Sequence, residues 1–253
     1  MRIAVITGAS SGMGRDFVRQ LSEKEKFDEI WVIARRRERL EELQQEIKTP
    51  LRPISLDLTK EESIEAYAKL LEEEKPEVAV LVNGSGYGAF EAFENVELSQ
   101  YYGMVDLNVK AMMGMTYRTL PYMKEGGEIY QICSLSSFQP VPYICVYGAT
   151  KAFALSFSRA MNVELKSRGI RVLAICPGWV KTEFFDRAVT DESVITYYNK
   201  YFESADVVKK ALKDMKKGKD VSILGFSIRV QVLLTKLLPH RLVMWIWCRQ
   251  QKK

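Results

Sequence analysis

Tyr147 stands four residues before Lys151, and Ser134 lies thirteen residues before Tyr147. Near the N-terminus the chain reads Thr7-Gly8-Ala9-Ser10-Ser11-Gly12-Met13-Gly14. The set joins a hydroxyl acid/base, an ammonium that can tune it, a second hydroxyl and a glycine turn suited to phosphate. Such parts can pass a hydride between a nicotinamide cofactor and a carbonyl. A lone Tyr-x3-Lys pair carries no weight, since about one arises by chance in a chain of this composition. Position gives this one its meaning, because residues 146–168 read as one long helix, which puts Tyr147 and Lys151 on one face. Ser134 ends the apolar strand Ile129–Cys133, and α/β sites gather at carboxyl edges of strands.

The glycine turn has the context it needs. Residues Arg2–Thr7 read as a buried strand, and Phe17, Val18 and Leu21 then recur at helical spacing. Gly8 permits the tight turn, Gly12 lets backbone approach a pyrophosphate, and Gly14 lets helix pack on strand. Ser10, Ser11 and Met13 complete the cradle, with the helix N-terminus facing the phosphates. The residue that reads the ribose 2′ position is expected about 20 positions beyond the glycines. There the chain has Arg35-Arg36-Arg37, with no acidic residue before Glu38. Guanidinium groups match a 2′-phosphate. The expectation is NADP(H) over NAD(H), with Arg35 the main contact and Ser10 or Arg36 assisting.

The T-G-x3-G-x-G turn and the Ser134/Tyr147/Lys151 spacing resemble the short-chain dehydrogenase/reductase family, in its single-domain branch, from Arg2 to about Val221. By that resemblance Asn108 is a fourth catalytic position that holds a water in a proton relay behind Lys151. Ser134 would bond the developing alkoxide, and Lys151 would lower the Tyr147 pKa and bond the nicotinamide ribose. Asp57 and Leu58 would meet the adenine. Asn83-Gly84-Ser85-Gly86 matches the family's N-N-A-G turn with two departures, Gly84 and Ser85. Pro177-Gly178-Trp179-Val180-Lys181-Thr182 resembles its P-G loop, with Thr182 on the nicotinamide carboxamide.

Strands alternating with helical patterns predict an α/β fold, a Rossmann-type doubly wound parallel sheet of about seven strands with helices on both faces. Helices are predicted near 13–25, 37–48, 60–74, 98–123, 146–168 and 204–217, with a last strand at Asp220–Leu224. Residues 1–225 form the dinucleotide-binding and catalytic domain, with a lid at about 183–203. Residues 226–253 form a basic, apolar, helical tail, in the same domain or appended to it.

The single histidine, His240, excludes a Ser–His–Asp engine and a histidine metal cluster, so no metal is expected. The four scattered cysteines read as free thiols in a reducing cytosol. The N-terminus already reads as the first strand, which predicts a cytoplasmic protein without a leader. The net charge is +5, but from Lys209 onward there are 12 Lys/Arg against 2 Asp/Glu. The pattern is a basic tail, not a nucleic-acid stripe. Pro239 and internal charges break the tail as a membrane span. It is expected to cover the substrate cleft or a dimer partner, or to lie peripherally at the inner face of a membrane. A homodimer through 98–123 and 146–168 is expected.

The lid carries Phe184, Phe185, Tyr197, Tyr198, Tyr201 and Phe202. These aromatics predict a lipophilic carbonyl or alcohol substrate, such as a hydroxysteroid or bile acid. The alternatives are a 3-oxoacyl-thioester reductase, or a non-enzyme: an NADP(H) sensor or a membrane-associated interaction protein.

Overall fold

The computed structural model describes residues 1–189 and 191–252; Thr190 in the lid and Lys253 at the end of the tail lie outside the described residues. The strands are β1 (Arg2–Thr7), β2 (Glu29–Ala34), β3 (Leu51–Ser55), β4 (Glu77–Asn83), β5 (Glu128–Ile132), β6 (Arg171–Ile175), β7 (Trp179–Lys181), β8 (Tyr201–Glu203) and β9 (Val221–Ser222). The helices are α1 (Gly12–Lys24), α2 (Arg37–Gln44), α3 (Glu61–Glu74), α4 (Leu98–Val105), α5 (Met112–Thr119), α6 (Cys145–Glu164), α7 (Phe184–Ala188), α8 (Ser204–Lys216), α9 (Phe226–Leu237) and α10 (His240–Gln250).

Seven strands form one parallel sheet in the order β3-β2-β1-β4-β5-β6-β9. Its central strands are near-continuous Val/Ile/Leu runs, because both faces are covered. One face packs on Phe17, Val18 and Leu21 of α1, Leu40 and Leu43 of α2, and the apolar stripe of α8. That stripe, Val207, Val208, Ala211, Leu212 and Met215, is buried because its spacing keeps it on one side of a helix. The other face packs on Tyr67 and Leu71 of α3 and Met115 of α5. Strand order reverses between β1 and β4, which opens a crevice at the carboxyl edge. The Rossmann-type expectation holds. The predicted last strand shrinks to two residues, and β7 and β8 pair separately as a small parallel ribbon.

The crevice depends on close backbone approach at Gly14. A Cβ there would lie 2.3 Å from the Gly8 carbonyl oxygen and 2.6 Å from its carbon. Both neighbours are backbone, so neither can swing aside. Gly14→Ala is expected to cost about 2–3 kcal/mol by overpacking, or roughly 5–10 °C in Tm for a chain of this size. A melt unchanged within error would mean that α1 slides off β1 without penalty.

Candidate active site

The glycine turn is positioned by side chain as well as backbone. Gly8 and Gly12 take left-handed φ values of 70° and 52°, which glycine adopts freely. The Thr7 hydroxyl accepts the Gly84 N–H at 3.0 Å and the Ser85 N–H at 3.1 Å, and so ties the first turn to the one after β4. A Cβ on Gly84 would lie 2.6 Å from the Thr7 carbonyl oxygen. Of the two departures from the N-N-A-G pattern, Gly84 is the one that suits this close approach.

A cavity of about 690 Å³ runs from this turn to the tail. Gly8, Ser10, Ser11, Gly12, Met13 and Gly14 line one end, together with Arg35, Arg36, Asp57 and Leu58. Gly84, Ser134, Tyr147 and Lys151 line its middle, and Pro177, Gly178, Val180 and Thr182 line the facing wall. Of the residues expected at the site, Asn83 and Asn108 are the two whose side chains do not line it. Asn83 ends β4 and is turned into the core, where its Nδ2 donates to the Thr116 hydroxyl at 3.0 Å. The reason is the alternation of a strand, which aims this side chain at α5 rather than at the crevice.

Asn108 lies in a π-helical turn, Asp106–Ala111, that joins α4 to α5. Its Oδ1 accepts the Tyr87 N–H at 3.1 Å. Its Nδ2 donates to the Tyr87 carbonyl at 2.9 Å and to the Thr150 hydroxyl at 3.1 Å. The side chain is therefore a brace between the Tyr87 backbone and α6. It still adjoins the site, because a Cβ on Gly86 would lie 2.9 Å from Asn108 Oδ1 and 3.4 Å from Lys151 Nζ.

Ser134, Tyr147 and Lys151 come together as the spacing implies. Ser134 caps a short 3-10 turn, its Oγ accepting the Ser136 N–H at 3.2 Å. Ser134 and Tyr147 line the cavity together. The Tyr147 ring packs against Phe184 and Phe90, with centroids 5.4 and 6.0 Å away. Lys151 Nζ lies 5.7 Å from that ring and donates to the Ile132 carbonyl at 2.7 Å. Burial pushes the Tyr147 phenol well above its ordinary value, against a smaller pull from Ser134. Burial also lowers the Lys151 ammonium. The lysine is itself buried, and its donated hydrogen bond goes to a carbonyl.

At the far end the two arginines take different partners. Arg36 Nη2 donates to the Ser10 hydroxyl at 3.2 Å and to the Ser11 hydroxyl at 3.4 Å. Its Nη1 meets Glu183 at 2.9 Å, and Arg39 pairs with the same carboxylate. Those two guanidiniums, Arg39 first, hold Glu183 below the usual carboxylate range. Arg35 instead acts on Asp57. There burial opposes ionisation, but the Thr59 N–H and hydroxyl and the Arg35 charge outweigh it and keep the group low. Arg36, and not Arg35, is the guanidinium seated on the glycine turn.

The cavity also has walls that spacing did not mark. Phe90, Val141 and Ile144 line it near Tyr147, and Gln231, Trp247 and Gln250 reach it from the tail. The lid aromatics Phe184 and Phe185 close on Phe90 and Trp179. Trp247 Nε1 donates to the Pro142 carbonyl at 3.1 Å. Gln251 Oε1 accepts the lid N–H groups of Thr196 and Tyr197 at 2.8 and 2.9 Å. Tail residues thus line one end of the cavity. Aromatic content signalled the lid, but no spacing rule linked residue 247 to residue 142.

A dinucleotide fits this cradle on two observations. The Gly8–Gly14 approach leaves no room for a Cβ beside the turn. The first turn of α1 has no side-chain cap at Ser11, so its N–H groups stay open to an anion. Crevice, cradle and the Ser134 and Tyr147 hydroxyls together define a dinucleotide-binding oxidoreductase acting on alcohol and carbonyl groups. A family model described as short chain dehydrogenase matches residues 2–193. The chain belongs to the short-chain dehydrogenase family.

Sulfoacetaldehyde reductase 2 of Chromohalobacter salexigens is 34% identical over 191 residues, covering 72% of this chain and 74% of the relative. A short-chain dehydrogenase from Sphingobium yanoikuyae, solved in complex with NADPH, superposes with a TM-score of 0.79 at 26% identity and covers 94% of each chain. The bulky-bulky ketone specific alcohol dehydrogenase of Comamonas testosteroni superposes with a TM-score of 0.75 at 26% identity, covering 94% of this chain and 92% of that one.

Proposed function

We propose that the enzyme uses NADP(H) to interconvert a lipophilic ketone and its secondary alcohol, with Tyr147 as the proton-transferring residue. The observation that carries the reading is the buried Tyr147 side chain, in a cavity that Ser134 also lines, with Phe90 and Phe184 packed against its ring. The Sphingobium yanoikuyae dehydrogenase, solved with NADPH, and the bulky-bulky ketone specificity of the Comamonas testosteroni enzyme support the same cofactor and substrate type.

The first-turn N–H groups of α1 bind the pyrophosphate, Arg36 and Ser10 bind the 2′-phosphate, and Asp57 and Leu58 border the adenine. Thr182 and Lys151 orient the nicotinamide end. The cofactor supplies or accepts the hydride. Ser134 donates to the carbonyl oxygen as charge grows there. Tyr147, kept protonated by its burial, gives its proton to that oxygen on reduction and takes one back on oxidation. Phe184 and Phe185 exclude water from the reacting centre.

The test is NADPH and NADH consumption with bulky aryl ketones, oxosteroids, 3-oxoacyl thioesters and sulfoacetaldehyde. Turnover of the bulky apolar ketones with NADPH is expected. Turnover confined to sulfoacetaldehyde would overturn the lipophilic assignment, because the apolar wall would then contribute nothing to recognition.

A further inference from the structure

Helices α9 and α10 are apolar on two sides, and the protein covers only one. In α9 the inner stripe is Ile228, Val232 and Thr235, all buried. The outer stripe is Phe226, Val230, Leu233 and Leu237, at the i, i+4, i+7, i+11 spacing of one helix face. Phe226 is 76% exposed, Leu233 55% and Leu237 71%, with Leu234 beside them. In α10, Val243 is buried, as is Gln251 just beyond it, while Leu242, Trp245 and Ile246 are exposed. A helix that only closed a cleft would carry polar residues on its outer side.

Charge decides what this face fits. Residues 226–253 hold six Lys/Arg and no Asp or Glu. None of the ion pairs among the described residues involves a tail cation. The neighbouring basic run differs, since Lys210 and Lys219 both pair with buried Asp214. Arg229 and Lys236 share one flank of the α9 stripe, and Arg249 lies 4.9 Å over the Trp245 ring. Long basic side chains flanking an apolar stripe with an exposed Trp match an interface between acyl chains and anionic headgroups. A second copy meeting this face symmetrically would bring cation against cation. Among the described residues no helix is long and apolar enough to cross a membrane.

We infer that the outer faces of α9 and α10 dock the enzyme on an anionic lipid bilayer, lying in its surface. The inner side of the same helices supplies Gln231, Trp247 and Gln250 to the cavity wall. Gln251, which follows α10, holds the lid backbone at Thr196 and Tyr197. Docking thus seats the cavity's tail end against the bilayer, so an apolar substrate enters from lipid. The docking surface stands on the tail alone; the entry route rests on the lipophilic reading above.

Co-sedimentation of the full chain with phosphatidylcholine vesicles, with and without equimolar phosphatidylglycerol, tests the surface. Binding to the mixed vesicles alone is expected, lost at about 1 M salt, where screening shortens to a few Å. Arg229→Gln and Lys236→Gln should each weaken it about fivefold. Leu233→Ser with Leu237→Ser should abolish it with every cation in place. NADPH binding by fluorescence reports that each variant is folded, and ketone turnover without vesicles judges the catalytic reading separately. No vesicle binding, equal binding to neutral vesicles, or retained binding by the double serine variant would each overturn the inference. Self-association of the wild type, lost in that variant and without lipid binding, would assign the face to a second copy and overturn it too.

Discussion

Tyr147→Phe should lower kcat by about 10²–10⁴, the range supplied by a positioned proton donor, while NADPH affinity stays within a few fold. The ring stays where it was, because its packing on Phe90 and Phe184 uses carbon atoms. Only the hydroxyl is removed, so a fold change is not expected and a melt should match the wild type. The pH profile distinguishes the two directions. Burial raises the Tyr147 phenol, so it is protonated at neutral pH and ready to donate. Oxidation needs the unprotonated form and should rise with pH throughout the neutral and mildly alkaline range. Reduction should stay level over that range and fall only where the phenol begins to ionise. A phenylalanine variant with full turnover, or an oxidation rate flat with pH, would remove Tyr147 from the mechanism.

Arg36→Ala should raise the KM for NADPH about 10- to 100-fold and leave that for NADH nearly unchanged. The magnitude follows from about 1.5–3 kcal/mol for hydrogen bonds to a charged partner, at about 1.4 kcal/mol per decade. The selectivity follows from place. Arg36 is seated on the hydroxyls of Ser10 and Ser11, where a 2′-phosphate would lie beside the glycine turn. Arg35→Ala serves as the control, since that residue acts on Asp57 and should affect both cofactors alike and less. Glu183 sharpens the test. Its carboxylate already joins Arg36 and Arg39, so the phosphate must compete with an internal anion for the same guanidiniums. Equal losses for NADPH and NADH in the Arg36 variant would show that the arginine serves the turn and not the phosphate.

Much of this protein was readable in one dimension. The apolar runs of β1, β2, β4, β5 and β6 and the 3.6-residue periods between them determine a parallel sheet with two covered faces, since no other arrangement buries such segments. The glycine turn was legible because its constraint is local: Gly8 and Gly12 need left-handed backbone, and Gly14 must admit a carbonyl. Tyr147 and Lys151 were legible because one helical turn separates them.

The tertiary structure decided what depends on direction or on distant partners. Asn83 and Asn108 carry the right names at the right positions, yet strand alternation turns one toward Thr116 and the Tyr87 backbone claims the other. Arg35 and Arg36 are adjacent in sequence and meet different partners at one end of the cavity, Asp57 and the Ser10–Ser11 turn, because neighbouring residues leave an extended chain on opposite sides. The direction of the Tyr147 shift followed from how deeply Phe90, Phe184 and the lid bury it, and those contacts span long stretches of chain. The tail shows the same division. Its composition determined that it is basic and apolar, while only packing decided which of its two apolar stripes meets the protein and which is left facing outward.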